Sequence, residues 1–573
     1  MTKRRLLLVP MVMALAGAGA QNTQNVVFWQ ASGSEAYPVN QVDSLTFQKS
    51  SETVMVWNST GVVDTIRQAD IDSVTFSVPS IKSTNKKTDD ELKNIFSSVK
   101  VNSTSYRKVG NTNPLMGHKF GADPFGMEYD GRLYVYMTDD HMYDSNGNAI
   151  TSGYSDIRNI SIISSADLVN WTDHGAIQIA GSNGPARWAN NSWAPCAAHK
   201  TINGKEKFFM YFADNGSGIG VVTSDTPYGP WTDPLGKQLI SRSTPNCSNV
   251  EWLFDPAVMV DNDGKAYLYF GGGVPDGKSA DPGTARCVQL GDDMISIVGT
   301  PQQINPPYLF EDSGINHVGN KYLYSYCSNW TSNSNPGVAK IAYMISDNPL
   351  GPFKYVGAFF DNPGDAGWAG GGGNNHHAVV KFKGKYYILY HTRTLKKAMA
   401  LSSTFSESEL RSTCISELTV NESNPSFTKL NASQTNEKGP AQIENLDPYQ
   451  KVEGETMAWQ NGVSVSYEMG KYIKRVTVAA EVKQPGSWIT LSKVDFKNGP
   501  SCFTARVKGK GVIRIIAKKT DKSLNTVIGY VELPGNDTYT DVTIPVLKSP
   551  VGVYNTLTFQ FSDAASMDYW QFY

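Results

Sequence analysis

The chain has 573 residues, which is too many for one compact core and predicts two to four domains. Lysine and arginine total 51 against 53 aspartates and glutamates, and the net charge of −2 argues against a protein that binds nucleic acid through its phosphate backbone. Charged residues are only 18% of the chain, aromatic residues reach 11%, and glycine and proline are frequent. This composition favours an all-β fold and excludes a mostly disordered or coiled-coil chain.

Residues 1–20 have the pattern of an export signal. A basic stretch at 3–5 precedes an apolar run at 6–15, and small residues stand at 18–20. This order predicts a signal peptide that is cleaved after Ala20. The apolar run is shorter than the roughly 20 residues that a membrane span needs. We therefore expect a soluble protein without a membrane span that is secreted or periplasmic.

Residues 21–80 contain a short internal repeat. The runs at 26–29 and 54–57 are alike, and each is followed by a similar second run, at 42–47 and 71–76 respectively. Two copies of strand, turn and strand predict a small N-terminal β-module. We interpret this module as a folding or anchoring appendage.

Residues 81–105 are predicted to be a linker with one short helix. Thr88 and Glu91 have the spacing of a capping box at the start of that helix. An apolar helix face follows, made of Leu92, Ile95, Phe96 and Val99. We expect the linker to pack against the domain that comes next in the chain.

Residues 106–440 contain a repeat of variable period. In five places a glycine of a predicted tight turn precedes a strand rich in aromatic residues, and these are Gly131, Gly204, Gly264, Gly319 and Gly384. Their spacing of 55 to 73 residues leaves room for a four-stranded unit each time. The repeat therefore predicts a five-bladed β-propeller. A β-sandwich is the alternative, but it does not naturally repeat five times.

Residues 441–573 differ in character, with short strands predicted at 488–491, 503–507 and 512–516. This spacing predicts a separate β-sandwich domain of jelly-roll type. The six cysteines of the chain allow 15 pairings, and none forms a CxxC pair of the kind that binds zinc. Buried free thiols and one or two disulfides are both compatible with the sequence.

Four chemically active residues share one position in the repeat. Asp123, Asp255, Glu311 and His376 each stand eight or nine residues before a turn glycine. The first strand of every propeller blade lines the central axis, so equivalent positions converge, and the register predicts one pocket that holds all four side chains. Taken singly, each could instead be a turn residue, a solvated acid or a core histidine.

Three carboxylates in one pocket with aromatic walls suit the cleavage of a glycosidic bond. One carboxylate must be ionised to activate water, and one must be protonated to support the leaving oxygen. The third can keep the pKa of the second high. Room for a water molecule between the first two predicts inversion of configuration.

Several motifs along residues 111–395 resemble glycoside hydrolase family 43. They are Ala122-Asp123-Pro124, 164–171, Trp193-Ala194-Pro195, Phe254-Asp255-Pro256, Glu311-Asp312-Ser313-Gly314 and Asn374-Asn375-His376-His377. The resemblance implies that Asp123 is the general base, Glu311 the general acid and Asp255 the group that tunes the pKa of the acid.

The same resemblance implies further site residues. It places a structural calcium on the propeller axis, approached by His376, and no organic cofactor. Arg393 is similar to the substrate-contacting arginine of the family. Trp193 and Trp252 are candidate stacking platforms for substrate, although either could be an ordinary core residue.

Members of this family cleave α-L-arabinofuranosyl, β-D-xylosyl or arabinan linkages. The sequence around Asp123 and Asn374 is most similar to the arabinofuranosidases that debranch arabinoxylan. We therefore expect an exported, monomeric, inverting enzyme whose partner is plant cell-wall polysaccharide. A β-xylosidase or arabinan-degrading enzyme is the alternative, and a non-catalytic carbohydrate-binding protein would not need three carboxylates.

Residues 449–573 resemble a family 6 carbohydrate-binding module. The motifs are Glu453-Gly454-Glu455, Gly486-Ser487-Trp488-Ile489, Val494-Asp495-Phe496, 503–507 and Asp568-Tyr569-Trp570. The resemblance implies that Glu453, Glu455 and Asp568 bind a second structural calcium, and plain surface acids are the alternative. Ser566 stands where the family usually has a sugar-binding asparagine, which puts xylan binding at that position in doubt.

Overall fold

The computed structural model describes residues 83–140, 153–371, 373–401, 410–469 and 475–573, together with short strands between Met13 and Ser77. Strands dominate throughout, as the composition predicts. Across these described parts, no helix has the length and apolar character needed to cross a membrane. Apart from the strand Met13–Ala14, the predicted signal peptide lies outside the described residues.

Five antiparallel sheets follow one another between residues 122 and 418, and each runs in chain order. The first sheet has the strands Ala122–Tyr129, Arg132–Thr138, Asn159–Ser165 and Trp171–Gln178. The second has Trp193–Ile202, Lys205–Ala213, Gly218–Ser224 and Ile240–Ser241. The third has Ala257–Val260, Ala266–Phe270, Ala285–Leu290 and Ile297–Ile304. The fourth has Leu309–Val318, Lys321–Ser328, Ile341–Ser346 and Lys354–Phe360, and the fifth has His377–Phe382, Lys385–Thr392 and Ser412–Leu418.

The predicted turn glycines lie between the first and second strands of these five sheets. All five have a positive φ, between +60° and +81°. A residue with a side chain is disfavoured in this left-handed region, which is why glycine recurs there. The turn repeat is therefore confirmed.

The first strands of the five sheets surround a common centre. Each contacts the first strand of the next sheet, and the first strand of the fifth sheet contacts that of the first. Buried side chains of neighbouring sheets fill the space between them, as where Met127 and Tyr134 share a core with Phe208 and Met210. This all-β arrangement is consistent with a β-propeller.

Two further sheets form the C-terminal part. The sixth sheet has Val463–Met469, Arg475–Val482, Ala565–Phe572, Cys502–Gly509 and Asn536–Pro545 in spatial order. The seventh has Trp459–Asn461, Trp488–Asp495, Val553–Phe561, Val512–Lys518 and Thr526–Glu532 in spatial order. Aromatic rings pack between the two, with Phe559 of the seventh sheet 5.2 Å from Trp570 and 5.8 Å from Phe503 of the sixth. The two sheets thus share one core.

The C-terminal part is joined directly to the first sheet. Strand Thr456–Met457 pairs with Trp171–Gln178 and extends that sheet by a fifth strand. The side chain of Asn170 accepts from the backbone N–H of Ser492 at 2.7 Å and donates to its carbonyl at 2.9 Å. Arg107, fully buried, donates to the carbonyls of Leu115 and Ala458 at 2.9 and 2.8 Å. These bonds link the two parts through buried polar groups.

The helix Asp89–Ile95 begins at Thr88 with the predicted capping box, in which Thr88 and Glu91 satisfy each other's backbone N–H groups. Leu92 and Phe96 are buried, as predicted. Their partners, however, are Val512 and Tyr530 of the seventh sheet. The expectation that the linker packs on the following domain is therefore wrong for the helix, whose apolar face packs on the C-terminal part. It is confirmed only for Val101, which packs against a cluster that includes Val169, between two strands of the first sheet.

The N-terminal region contains only strands among its described residues. Gly33–Pro38, Asn25–Gln30 and Ser73–Ser77 form one small sheet in that spatial order. Met13–Ala14, Ser44–Gln48, Thr53–Asn58 and Gly61–Arg67 form another. A short hairpin of Val420–Asn421 and Ser426–Phe427 and a short helix, Thr394–Ala398, complete the larger elements. All six cysteines are buried as free thiols.

Candidate active site

A cleft of about 860 Å³ opens where the first strands of the five sheets meet. Every residue that the sequence assigns to the first site lines this cleft, namely Asp123, Trp193, Trp252, Asp255, Glu311, His376 and Arg393. The predicted convergence of equivalent positions from separate sheets is therefore confirmed. The remaining candidates, Glu453, Glu455 and Asp568, line a different cleft beside the C-terminal part.

The backbone is locally bent where it presents these side chains. Asp123 and Asp255 both have φ +48°, and Ala194, at the corresponding place in the second sheet, has φ +40°. Each precedes a proline, and strand register shifts at this point in the first and second sheets. Left-handed backbone is costly for residues other than glycine. Here it accompanies bulges that direct side chains into the cleft.

Asp123 is held by several donors. Arg411 Nη1 donates to its Oδ1 at 2.8 Å, and Thr138 Oγ1 donates to its Oδ2 at 2.8 Å. Nδ1 of His376 lies 3.4 Å from Oδ1, and Nδ1 of His391 lies 3.3 Å from it while accepting from the backbone N–H of Asp123 at 3.2 Å. Burial alone would raise the pKa of Asp123, but Arg411, His376 and His391 together hold it well below its usual range. Asp123 is therefore ionised across the ordinary pH range.

Glu311 has the opposite environment. Burial raises its pKa to about 8, and the charges of Asp123 and Asp312 contribute in the same direction. The amide of Asn374 donates to Oε1 at 2.9 Å and partly offsets that rise. Glu311 is therefore protonated at neutral pH, while Asp123 in the same cleft is ionised.

Asp255 is a third buried carboxyl group of the cleft, and its ionised form is strongly disfavoured. Burial raises its pKa well above the usual range, and Glu311, Asp123 and Asp312 raise it further. Its Oδ2 accepts from the backbone N–H of Asp312 at 3.0 Å and lies 3.8 Å from Nδ1 of His376. Asp255 and Glu311 thus compete for ionisation in one buried site.

His376 lies between the aspartates of three sheets. Besides its approach to Asp123 and Asp255, its Nε2 is 3.2 Å from Oδ1 of Asp312. Burial lowers the pKa of His376, against the charges of Asp312 and Asp123. Asp312 in turn bonds Nδ1 of His377 at 2.5 Å, and Nε2 of His377 lies 2.8 Å from Ser325 Oγ. Of the two adjacent histidines, His376 therefore lines the cleft, whereas His377 is buried and holds Asp312 in place.

Aromatic side chains form two groups along the cleft wall. Tyr154 and Trp193 meet edge to face at 5.9 Å. Trp252, Phe310 and Trp330 form the second group, with Phe310 5.4 Å from Trp252 and 6.5 Å from Trp330. Such walls provide flat apolar surface for a ligand.

Arg393 reaches the same cleft from the turn before the helix Thr394–Ala398. Glycines pack closely around it. A side chain added at Gly373 would come within 2.7 Å of its guanidinium, and one added at Gly370 within 2.7 Å of its carbonyl oxygen. Gly370 and Gly373 thus leave space for this arginine.

Sequence reasoning missed Arg411, Asp140 and His391. Asp140 binds Arg411 through both carboxylate oxygens at 2.9 Å and so fixes the group that neutralises Asp123. Arg411 directly precedes the third strand of its sheet, Ser412–Leu418, whereas the carboxylates were found by their position at the first strands, so the repeat does not point to it. His391 stands two residues before Arg393, but nothing in the sequence links it to Asp123.

The two predicted calcium positions differ in their chemistry. Within the described ranges, no group of three or more His, Cys, Asp or Glu side chains is placed to hold a metal ion. On the axis, His376 offers a nitrogen, whereas calcium prefers a cage of oxygens, so the residues there do not form such a cage.

In the second cleft, Glu453, Glu455 and Asp568 offer carboxylate oxygens of the right kind. Strand Val452–Glu453 already pairs with Ala565–Phe572, so backbone bonds hold the two ends of the C-terminal part together. Asp568 also lies 3.3 Å from the guanidinium of Arg506. The donor chemistry fits calcium, but these groups are not assembled around one point.

Comparison with known proteins gives consistent results. Residues 111–424 match the model of glycosyl hydrolases family 43. An arabinoxylan arabinofuranohydrolase of Paenibacillus polymyxa is 44% identical over 81% of this chain and 74% of its own length. Its namesake in Bacillus subtilis is 42% identical over 82% of this chain and 94% of its own.

A solved structure is similar over the same share of the chain. It is a family 43 arabinoxylan arabinofuranohydrolase from Bacillus subtilis, in complex with cellotetraose. The TM-score is 0.75 at 41% identity, and the match covers 82% of this chain and 99% of that one.

Proposed function

The chain belongs to family 43 of the glycosyl hydrolases, and we propose that it removes α-L-arabinofuranosyl side chains from arabinoxylan. One observation supports acid–base catalysis at this site. Asp123 and Glu311 line a single cleft, and their surroundings move their pKa values in opposite directions. A base and an acid are thereby available together at neutral pH. The relatives that are 42–44% identical supply the substrate class.

In the proposed mechanism, Asp123 is the general base and Glu311 the general acid. Asp123 accepts a proton from a water molecule as that water attacks the anomeric carbon of the arabinosyl group. Glu311 gives its proton to the glycosidic oxygen as the bond from the anomeric carbon to that oxygen breaks. The products are free arabinose and a main chain with a restored hydroxyl group.

Asp255, Arg393 and the two tryptophans have supporting roles in this proposal. Asp255 is proposed to tune the pKa of Glu311, because the two carboxyl groups share one buried site and ionisation of either disfavours ionisation of the other. Arg393 contacts substrate hydroxyl groups from the cleft wall, and Trp193 and Trp252 offer flat faces to sugar rings. Water attack without a covalent intermediate gives inversion, which NMR of freshly released arabinose tests through its anomeric form.

We further propose that the five sheets are the blades of a propeller that spans residues 106–440. Residues 441–573 are proposed as a family 6 carbohydrate-binding module with a jelly-roll fold, 81–105 as the linker and 21–80 as a small β-module. Residues 1–20 are proposed as a cleaved signal peptide of a secreted, monomeric enzyme. Mass spectrometry of the exported protein tests the cleavage at Ala20.

Two calcium ions belong to the proposal as structural components only. Glu453, Glu455 and Asp568 support one of them by their oxygen chemistry. The axial ion is proposed at His376 on the family resemblance alone, because the described side chains there do not form a cage of oxygens. Metal analysis of the purified protein, before and after a chelator, tests both, with Asp568→Asn and His376→Ala separating the two positions.

The test of the function is product analysis on arabinoxylan, with Glu311→Gln in parallel. Free arabinose that disappears in the variant supports the substrate and the acid together. Release of xylose instead of arabinose would still show a glycoside hydrolase, but its substrate would be that of a β-xylosidase. No product from arabinoxylan, arabinan or xylo-oligosaccharides contradicts the proposal and favours a binding protein.

A further inference from the structure

The two aromatic groups of the cleft lie beside different catalytic carboxyl groups. The ring of Tyr154 is 5.6 Å from the guanidinium of Arg411, which binds Asp123, so Tyr154 and Trp193 belong to the side of the base. Phe310 directly precedes Glu311 on one strand and contacts both Trp252 and Trp330. This second group belongs to the side of the acid.

The side of the acid is where the leaving group must lie. A general acid has to reach the oxygen that departs with the leaving group. In debranching, that oxygen stays on the main chain of the polysaccharide. The xylan main chain must therefore pass close to Glu311 and along the group formed by Trp252, Phe310 and Trp330.

Trp252 is fixed within this group. Its backbone exchanges two hydrogen bonds of 3.0 Å with Gly272. The neighbouring Gly273 donates its N–H to the carbonyl of Phe310 at 2.7 Å. A side chain at Gly272 would come within 2.6 Å of the same carbonyl oxygen. The segment with Gly272 and Gly273 therefore packs directly against the strand Leu309–Val318, which contains Glu311.

Trp330 stands at the outer end of the group and differs from the other tryptophans. It is 50% exposed, and it is the only exposed tryptophan among those whose side chains are described. Single exposed apolar residues are common, but this one also lines the cleft. The residue before it is anchored, because Asn329 is buried and its amide donates to the carbonyl of Ser279 at 2.7 Å. An anchored backbone thus presents an exposed flat ring at the mouth of the cleft.

We propose that Trp330 is a specificity-determining residue that stacks on a xylosyl ring of the main chain, next to the branched residue. The inference rests on the proposed function and names the part of the substrate that this ring binds. Flat indole faces suit the apolar faces of sugar rings, and a ring at the cleft mouth suits a chain that continues beyond the site. Trp330 touches the polymer and leaves the arabinosyl group to the residues deeper in the cleft.

The test compares two substrates, arabinoxylan and an aryl α-L-arabinofuranoside that has no main chain. For Trp330→Ala we expect KM on arabinoxylan to rise by about 3- to 10-fold, in the range of one aromatic contact. KM on the aryl arabinoside rises less than KM on arabinoxylan, because that substrate has no xylosyl ring beside the branched residue. Trp330→Phe keeps a flat ring and recovers most of the affinity for the polymer. Tyr106→Ala is the control, since Tyr106 is 47% exposed and does not line the cleft.

The outcomes separate the inference from the function. Equal KM on arabinoxylan for Trp330→Ala and the unmodified protein overturns the inference and leaves the function intact. Equal losses on both substrates also overturn it, because Trp330 would then support the catalytic groups rather than the main chain. Inactivity of the unmodified protein on both substrates contradicts the proposed function itself. A thermal unfolding scan of each variant shows that the fold is retained.

Discussion

Arg411 donates to Asp123 at 2.8 Å from a position 288 residues further along the chain. Asp140 holds the other side of the same guanidinium through both of its oxygens. A planar guanidinium can bind two carboxylates at once, whereas an ammonium group cannot match that geometry. The pair therefore fixes both the charge and the orientation of the proposed base.

The first prediction concerns this arginine. In Arg411→Lys the base keeps a nearby charge but loses the planar donor, and in Arg411→Met it loses both. The pKa of Asp123 rises in each case, because an opposite charge no longer favours its ionised form as strongly. We expect the acidic limb of the pH profile of kcat/KM to move to higher pH, further for methionine than for lysine. Unchanged acidic limbs in both variants would contradict the assignment of Asp123 as the base.

The second prediction concerns the acid. Glu311→Gln cannot give a proton to the leaving oxygen, so we expect kcat/KM on arabinoxylan to fall by about 10²–10⁴-fold. The loss should be smaller on an aryl arabinofuranoside with an acidic phenol, whose oxygen needs no proton to leave. Steady-state kinetics on both substrates measure this difference. Glu251→Gln is a matched control, since Glu251 lines the same cleft without a proposed catalytic role.

The same acid sets the alkaline side of the pH profile. Because the pKa of Glu311 is raised to about 8, activity should decline as pH rises through that value and the proton is lost. The limb should be absent from the residual activity of Glu311→Gln. An alkaline limb that survives in this variant would assign that ionisation to another group.

The third prediction concerns Asp255. In Asp255→Asn the carboxyl group that competes with Glu311 for ionisation in the buried site is removed, so with the proposed tuning role Glu311 releases its proton at lower pH. We expect the alkaline limb to move to lower pH by about 1 unit, and kcat near neutral pH to fall. A pH profile of kcat/KM on the aryl arabinofuranoside measures it. A limb that does not move would mean that Asp255 is neutral in the active form and acts through its bond to the N–H of Asp312.

The site was predictable from sequence where it follows a repeat. One position of the repeat is occupied by Asp123, Asp255, Glu311 and His376. The first strands of neighbouring sheets contact one another in a ring, which brings these four residues together. Arg411 and Asp140 were not predictable in this way. Both residues reach Asp123 only through the tertiary fold, and no regular spacing in the sequence relates either of them to Asp123.

The same limit applies to the fold. The capping box and apolar face of the helix Asp89–Ile95 predict that it forms and that Leu92 is buried. They contain no information about the partner, which lies more than 400 residues away at Val512 and Tyr530. The strand Thr456–Met457 likewise joins the first sheet, although the predicted domain boundary at 441 separates the two. Trp171–Gln178 is the last strand of that sheet in chain order, and its unpaired backbone groups can bind a further strand.

The last prediction concerns that junction. Asn170 is buried, and its amide binds both the N–H and the carbonyl of Ser492, besides Asp167. Asn170→Ala leaves the backbone groups of Ser492 without these bonds, so we expect the free energy of unfolding to fall by about 1–3 kcal/mol. Urea unfolding followed by tryptophan fluorescence measures the loss, and Asn555→Ala, which removes one exposed bond to Asp521, should change little. Activity on the aryl arabinofuranoside should persist, because Asn170 lies outside the active cleft. Equal stability of the two variants would mean that the strand Thr456–Met457 and Arg107 hold the C-terminal part in place without Asn170.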